Sequence, residues 1–294
     1  MQDKSLVTII CLCFNQEAYV IESLQSVINQ DYKLIELIIV DDCSSDKSKS
    51  IIEKWLLNHP KIQFIANETN LGSTKSFNKA LKMAHGAYII DLAADDILLN
   101  NAATLQYDTF ANSPFKNLGI VYGNAALINE KGNFESYYFA VNDEKKIIKK
   151  RIIGDIYLSV LLGGDSICSV SAMIRKTVFD ELNGYDENLA YEDLDFWIRA
   201  SRIYDFDFID EVLIQKRTVA NSLGTLFFKR NNKINNSTFI ILNKAIRLNR
   251  TNEENKALLK RIHFEMLLAF RTSSFALVLR YIPMEIKLRI KVLF

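Results

Sequence analysis

The sequence lacks the cysteine and histidine patterns that disulfide frameworks and structural metal sites need. Its four cysteines are Cys11, Cys13, Cys43 and Cys168. Their spacing fits neither a disulfide framework nor a zinc site, so we expect the reduced thiols of a cytoplasmic protein. The three histidines are scattered and form no metal-ligand pair. These absences exclude a disulfide-stapled domain and a zinc-dependent fold.

Long apolar runs, repeats and the glycine signature of dinucleotide binding are also missing. No uncharged apolar run approaches the roughly 18 residues of a membrane-spanning helix. The chain passes from Met1-Gln2-Asp3-Lys4 directly into a strand-like run, so we expect no cleaved signal peptide. No Gly-x-Gly-x-x-Gly follows that run, which disfavours a dinucleotide-dependent dehydrogenase.

The formal net charge of +1 hides a strong asymmetry along the chain. Residues 225–294 hold 14 basic and 4 acidic side chains, whereas residues 1–224 hold 22 basic and 31 acidic ones. We therefore predict a domain at 1–224 and a basic, mainly helical extension at 225–294. Such an extension suits an anionic partner, and we favour a membrane surface over nucleic acid. Its aromatic residues fit that interpretation: Phe227, Phe228, Phe275 and Tyr281. A helical cap that packs on the body or on another subunit is the alternative.

Strand-like and helix-like segments alternate over the first hundred residues. Apolar, β-rich runs lie at residues 6–14, 34–40, 62–66 and 88–92, and apolar residues recur at helical spacing between them. This alternation predicts βαβ units and a mostly parallel sheet flanked by helices, an α/β fold. Further along we predict a hairpin at 127–139 and two short strands at 206–209 and 212–214. Beyond Pro283 the apolar residues alternate, and strand and helix both remain open.

Polar side chains follow the predicted parallel strands at the points where they end. They are Asn15, Asp41, Asp42, Asp95 and Asp96. Ligands of such sheets bind beyond the carboxyl ends of the strands, so these residues converge on one edge. Asp95 and Asp96 are adjacent carboxylates behind a buried strand, a position that favours a bound cation such as Mg²⁺ or Mn²⁺. Alone, the pair is also compatible with a helix N-terminus.

A nucleotide diphosphate ligand would use this edge in a simple way. Asp42 can accept a hydrogen bond from a base N–H group, and Asp95 can bind a ribose hydroxyl or the metal. Asp96 can bind the metal, which offsets charge on a leaving phosphate. Lys75, at the start of the third predicted helix, can add positive charge or be an ordinary solvated residue.

A second acidic segment opens a predicted helix near residue 192. Asp193 at that N-terminus can act as a general base toward a sugar hydroxyl, and its alternative role is to stabilise the helix dipole. Glu192 and Asp195 are competitors for the base. Asp195 is spaced to pair with Arg199, so we assign it a structural role.

Together these blocks resemble family 2 of the glycosyltransferases, which have a GT-A nucleotide-sugar-binding fold. The resemblance is carried by VTIICLCFNQEAYVIESLQSVINQ at 7–30, IELIIVDDCSSDKS at 35–48, NLGSTKSFNKALKMAHGAYIIDLAADD at 70–96 and MIRKTVFDELNGYDENLAYEDLDFWIRAS at 173–201. It implies inverting transfer from a UDP- or GDP-linked sugar with Mn²⁺ or Mg²⁺. The implied nucleotide-sugar contacts are Phe14, Asn15, Glu17, Asp42, Lys75 and Asp95. The remaining implied roles are metal binding by Asp96 and Asp95, the base Asp193, and an acceptor side with Asp165, Glu192 and Trp197.

The chain departs from the family pattern at Ala93, where many members have an acidic residue two positions before Asp95. Bacterial members often build surface polysaccharides on saccharide or lipid-linked acceptors at the cytoplasmic face of the inner membrane. We therefore predict a cytoplasmic, peripherally attached polysaccharide glycosyltransferase. The rivals are a nucleotide-sugar-binding protein without turnover, which Ala93 favours, and a nucleotidyltransferase.

Overall fold

The computed structural model describes residues 5–163, 167–219 and 232–293. The chain divides into two compact units. The first comprises Met1–Gly154, Ile167–Tyr185 and Tyr204–Thr218, and the second comprises Asp155–Ser166, Asp186–Ile203 and Val219–Phe294. The boundary predicted near residue 224 lies outside the described residues, as do Asp165, Phe227 and Phe228.

The first unit is built on one sheet, which across the described residues has nine strands. The strands are β1 (Val7–Cys13), β2 (Ile35–Asp41), β3 (Gln63–Ala66), β4 (Tyr88–Ala93), β5 (Ile97–Leu98), β6 (Leu118–Ile128), β7 (Phe134–Tyr137), β8 (Met173–Arg175) and β9 (Asp205–Arg217). Their order is β3-β2-β1-β4-β8-β6-β9-β5, with β7 paired to β6. The helices of this unit are α1 (Val20–Ile28), α2 (Ser48–Leu56), α3 (Ser73–Leu81), α4 (Ala102–Asn112) and α6 (Lys176–Leu182).

Half of the sheet, β3-β2-β1-β4, is parallel, as the alternation of strand and helix predicts. The strands β1 and β2 are apolar and largely buried, because helices cover both faces of a parallel sheet. Cys13 lies opposite Asp41, and Leu12 lies opposite Ala93. The carboxyl ends of β1, β2 and β4 therefore finish at the same edge of the sheet.

The other half makes the sheet mixed, because β8 runs antiparallel to both β4 and β6. The predicted hairpin is confirmed by β6 and β7, and the Asn129 side chain closes its turn by accepting the Lys131 and Asn133 N–H groups, both at 3.0 Å.

The prediction of two short strands at 206–209 and 212–214 is wrong, since residues 205–217 form one strand. Asp210 and Glu211, which separate the two predicted strands, lie where the pairing of β6 with β9 shifts register, and the Glu211 carbonyl there faces Gly123. A Cβ at Gly123 would lie 2.9 Å from that oxygen, so only glycine fits.

The second unit is helical in its described part. Its helices are α5 (Tyr157–Leu162), α7 (Glu192–Ala200), α8 (Lys233–Leu248), α9 (Asn252–Arg271) and α10 (Phe275–Leu293). The Thr251 hydroxyl accepts the Glu254 N–H at 3.2 Å, and the Glu254 carboxylate accepts the Thr251 N–H at 3.1 Å. This capping box starts α9 and satisfies two backbone donors, as the sequence predicts.

The segment beyond Pro283 is helical, and Pro283 lies inside α10. What decides the structure is a second set of apolar residues, which recurs every three to four positions and is buried: Leu277, Tyr281, Met284 and Leu288. The alternating residues are thus distributed around a helix and do not define the two faces of a strand. Among the helices of the described residues, none combines the length and apolarity that a membrane crossing requires.

Candidate functional site

The edge where β1, β2 and β4 end carries the polar residues that the sequence singles out. Asn15 follows β1 in a left-handed conformation, with φ of 54°. Its side-chain oxygen accepts the Ser45 N–H at 2.8 Å, and its own N–H donates to the Ser44 hydroxyl at 3.0 Å. Glu17 acts similarly, because its carboxylate accepts the Lys47 N–H at 2.8 Å. Both residues therefore hold the loop between β2 and α2 against the end of β1.

Phe14 and Lys75 are solvent-exposed side chains of this edge. Phe14 directly follows β1, and 46% of it is exposed. Lys75 is exposed in the first turn of α3, behind Gly72. An exposed ring and an exposed ammonium are suited to stacking on a base and to neutralising a phosphate, respectively.

Asp42 is a buried carboxylate whose oxygens already accept hydrogen bonds from other residues of the protein. Four donors surround it at 2.8–2.9 Å: the Asn67 amide, the Leu71 and Gly72 N–H groups and the Ser76 hydroxyl. Burial alone would raise the pKa of Asp42, but these hydrogen bonds hold it below its usual range. Asp42 is therefore an ionised anchor for the turn that starts α3. Among the described residues its Oδ2 accepts only from Gly72, which leaves this atom able to accept a further hydrogen bond.

Asp95 and Asp96 form the acidic turn that follows β4. Asp96 is buried, and its Oδ1 accepts the Arg217 N–H at 2.8 Å, whereas Asp95 is partly exposed. Burial, and then the neighbouring Asp95 carboxylate, raise the pKa of Asp96 to about 7. Burial also raises the pKa of Asp95. Neither carboxylate has an ion-pair partner within 4 Å in the described part of the chain. A cation bound here would offset the free-energy cost of ionising these two carboxylates.

The acidic turn fits Mg²⁺ or Mn²⁺ by the chemistry of its ligands. Both ions prefer oxygen ligands, and Mg²⁺ usually binds one or two carboxylates together with substrate phosphates and water. The turn supplies two carboxylates as ligands. No group of three or more aspartate, glutamate, histidine or cysteine side chains that could hold a metal ion occurs within the described residues. Ala93 is exposed where β4 ends and contributes no ligand. Substrate phosphates and water would supply the remaining coordination positions.

Arg217 organises this turn, and sequence reasoning missed it. Its guanidinium is almost completely buried, with 2% of the side chain exposed. It reaches four groups and stacks on a ring: the Glu22 carboxylate at 2.7 Å, the Asp95 carbonyl at 3.1 Å, the Asn129 and Glu130 carbonyls at 3.2 Å and the Tyr19 ring at 4.4 Å. One side chain thus joins α1, the β6–β7 hairpin and the acidic turn. Its partners are 87 to 198 positions away, so no local pattern could reveal it.

A separate acidic segment opens α7 in the second unit, as the sequence predicts. Glu192 and Asp193 occupy its first turn, and Asp193 accepts the Leu194 N–H at 2.8 Å. Burial, and then the Asp193 charge, raise the pKa of Glu192 to about 7. Glu192 is therefore partly protonated near neutral pH, which is the property of a group that exchanges protons there.

Among the other residues predicted around α7, Asp195 has structural partners. Asp195 is buried and pairs with Arg199 at 2.6 Å, which confirms its predicted structural role. It also pairs with Lys244 at 2.8 Å, and Lys244 pairs in turn with Asp186 at 2.6 Å. Trp197 is buried, with 5% exposed. Asp165 lies outside the described residues, so its predicted acceptor role stays a prediction.

Replacing Arg217 with methionine should cost about 3 kcal/mol of unfolding free energy, because it leaves buried carbonyls without a donor. Glu22→Gln, the matched change at the partner, should cost less than about 1 kcal/mol, since 56% of the Glu22 side chain is exposed. Urea unfolding measures both. Equal losses for the two variants would contradict the organising role of Arg217.

Glu192→Gln should stabilise the protein at neutral pH and leave it unchanged in acid. The folded-state pKa of about 7 lies above the ordinary value of 4.5, so wild-type stability falls as pH rises between these values and stays low above them. If about 1 kcal/mol is recovered, the melting temperature at pH 8 rises by about 2–4 °C. Thermal unfolding at pH 4 and pH 8 tests this. A gain of the same size at both values would refute it.

Comparisons with known proteins agree with this geometry. A family model described as glycosyl transferase family 2 matches residues 8–182. An uncharacterized glycosyltransferase of Methanocaldococcus jannaschii is 34% identical over 219 residues, which cover 73% of this chain and 71% of the relative. The poly-beta-1,6-N-acetyl-D-glucosamine synthase of Staphylococcus epidermidis is 28% identical over 64% of this chain but only 44% of its own length.

Solved structures share the fold at low identity. S. aureus TarS 1–349 in complex with UDP-GlcNAc has a TM-score of 0.73 at 16% identity, over 96% of this chain and 81% of that chain. The mannosyltransferase PcManGT from Pyrobaculum calidifontis, in complex with GDP-Man and Mn²⁺, has a TM-score of 0.61 at 15% identity, over 95% of this chain and 75% of that chain. The family match and the relatives go beyond fold, and the chain belongs to glycosyl transferase family 2.

Proposed function

We propose that this glycosyltransferase moves a sugar from a UDP- or GDP-linked donor to a hydroxyl of a saccharide or lipid-linked acceptor during surface polysaccharide synthesis. The observation that carries the proposal is the acidic turn, Asp95 and Asp96, whose carboxylates share the end of a parallel strand with raised pKa values. The named relative that makes poly-beta-1,6-N-acetyl-D-glucosamine and the neighbours bound to UDP-GlcNAc and GDP-Man support the substrate class.

The donor is proposed to bind at the edge of the first unit. Phe14 offers a ring for the base, and Asp42 offers its Oδ2 to a base N–H. Asn15 and Glu17 contribute by holding the loop after β2, and Lys75 supplies positive charge toward the phosphates.

Mn²⁺ or Mg²⁺ is proposed to be held by Asp96, with Asp95 as a second ligand or as the partner of a ribose hydroxyl. A bound divalent ion would offset the negative charge of the departing nucleotide diphosphate. The Mn²⁺ in the solved mannosyltransferase supports this choice of ion class. Arg217 keeps Asp96 oriented through its backbone N–H.

Asp193 is proposed as the general base that removes the proton from the acceptor hydroxyl. If the same oxygen attacks the sugar carbon opposite the leaving diphosphate, the product has inverted configuration. Glu192, with its pKa near 7, is proposed to act on the acceptor side together with Asp165 and Trp197. The burial of Trp197 limits it to shaping the surroundings of α7.

We assign the donor-binding and catalytic residues to 1–224 and a separate attachment role to 225–294. The net charge of the second segment, 14 basic against 4 acidic side chains, supports peripheral attachment to the anionic cytoplasmic face of a membrane. Tyr281, which the sequence suggested for this role, is buried and is therefore not available for it.

Turnover is tested by screening a panel of UDP- and GDP-sugars for release of UDP or GDP. We expect release from at least one donor, and Asp193→Asn should retain donor binding but lose about 10²-fold or more in rate, because a positioned base contributes at least that much. Asp180→Asn, on the exposed end of a surface ion pair, should keep the wild-type rate. Donor binding without release of UDP or GDP would favour a nucleotide-sugar-binding protein without turnover. Release of pyrophosphate would favour a nucleotidyltransferase.

Metal binding is tested by titrating Mn²⁺ in the presence of UDP and measuring free Mn²⁺ by electron paramagnetic resonance. Asp96→Asn should weaken binding about tenfold or more, whereas Asp108→Asn, on the exposed face of α4, should not change it. With the Asp96 pKa at about 7, protons compete with the metal, so wild-type affinity should fall about eightfold from pH 7.5 to pH 6. Equal titrations for wild type and Asp96→Asn would remove Asp96 as a ligand.

A further inference from the structure

The hairpin of α9 and α10 exposes a continuous apolar stripe that folding leaves uncovered. On α10 the exposed apolar residues are Phe275 (54%), Leu279 (67%), Ile282 (39%), Ile286 (53%) and Ile290 (53%). They are spaced by three or four positions, so they share one helical face, opposite the buried residues of the same helix. A soluble helix normally turns such a face inward, which makes the exposed stripe a binding surface.

The stripe continues onto α9 through the turn between the two helices. Phe264, Leu267 and Phe270 are 58%, 46% and 62% exposed. Phe270 and Phe275 contact each other, with ring centroids 5.8 Å apart. The apolar side chains thus form a single surface at the turn, which we call the α9–α10 face.

Exposed charges on these two helices are almost all positive. Lys256, Lys260 and Arg271 are exposed on α9, and Lys287 and Lys291 on α10. The acidic residues are mostly neutralised: Glu254 pairs with Arg202, Glu265 with Arg261 and Glu285 with Arg289. Lys291 also donates to the Ile246 carbonyl at 3.4 Å, whereas the other exposed lysines have no ion pair within the described residues. An apolar stripe on helices whose exposed charges are mostly positive is the pattern of a helix that lies in a membrane interface.

We propose that the α9–α10 face inserts into the surface of an anionic lipid bilayer, with α10 lying in the plane of the membrane. The proposal deepens, and rests on, the proposed attachment of this glycosyltransferase to a membrane, for which it names the element. A second copy of the chain is the weaker occupant, because a symmetric contact would bring the same lysines together. Anionic headgroups complement those lysines while the acyl chains take up the apolar stripe.

The test is sedimentation of the full chain with vesicles of phosphatidylcholine alone or with 30% phosphatidylglycerol. Wild type should bind the anionic vesicles, and Leu279→Glu/Ile286→Glu should weaken binding about tenfold or more. Lys287→Gln/Lys291→Gln should weaken it about fivefold per charge, and added salt should reduce that difference. Leu57→Glu, at a 79% exposed leucine of the first unit, is the matched control and should bind like wild type.

Two further measurements keep the outcome clear. Phe275→Trp should shift its emission to the blue only with anionic vesicles, which reports insertion without disturbing the face. Thermal unfolding checks that the glutamate variants fold, and donor hydrolysis without vesicles, which should be unchanged in them, tests the glycosyltransferase proposal separately. Equal vesicle binding by wild type and Leu279→Glu/Ile286→Glu overturns the proposal. Self-association through the α9–α10 face without vesicle binding also overturns the proposal.

Discussion

Two neighbouring carboxylates at the end of a buried strand are the constraint on which the first unit depends. Burial raises the pKa of both Asp95 and Asp96, and the Asp95 charge raises that of Asp96 further, so ionising both carboxylates there is unfavourable. The fold nevertheless keeps them in place by a backbone hydrogen bond from Arg217 and by the guanidinium that grips the Asp95 carbonyl. The use that we propose for this arrangement is neutralisation by a divalent cation bound to a diphosphate.

The residues at the edge where β1, β2 and β4 end have two different roles. Asn15 and Glu17 accept hydrogen bonds from the protein's own backbone, and Asp42 accepts from two backbone and two side-chain donors, so these residues shape loops. Phe14, Lys75 and the acidic turn remain accessible or unpaired, and they are left for a ligand. Rigid loops support a few free groups, which is how a preorganised site limits the entropy lost on binding.

Much of this arrangement could be predicted from the sequence, and the physical reasons for the misses are specific. The strand ends at Asn15, Asp42 and Asp95 are marked locally by apolar runs that stop at polar residues. The pairing of Asp195 with Arg199 follows from helical spacing and is confirmed. The donors around Asp42 and the partners of Arg217 come from distant segments, so only the folded chain assembles them. The helical state of residues 284–293 depends on burial of Leu288, which alternation along the chain does not encode.

The contacts of Arg217 also bear on how this family can diverge. Three of its hydrogen bonds end on main-chain carbonyls, those of residues 95, 129 and 130. A carbonyl is present whatever side chain the residue carries, so Glu130 can change without loss of its contact to Arg217, whereas the Asn129 side chain is also needed to close the hairpin turn. Substitution is therefore tolerated at position 130, whereas at position 217 no other residue supplies the same planar fork of donors.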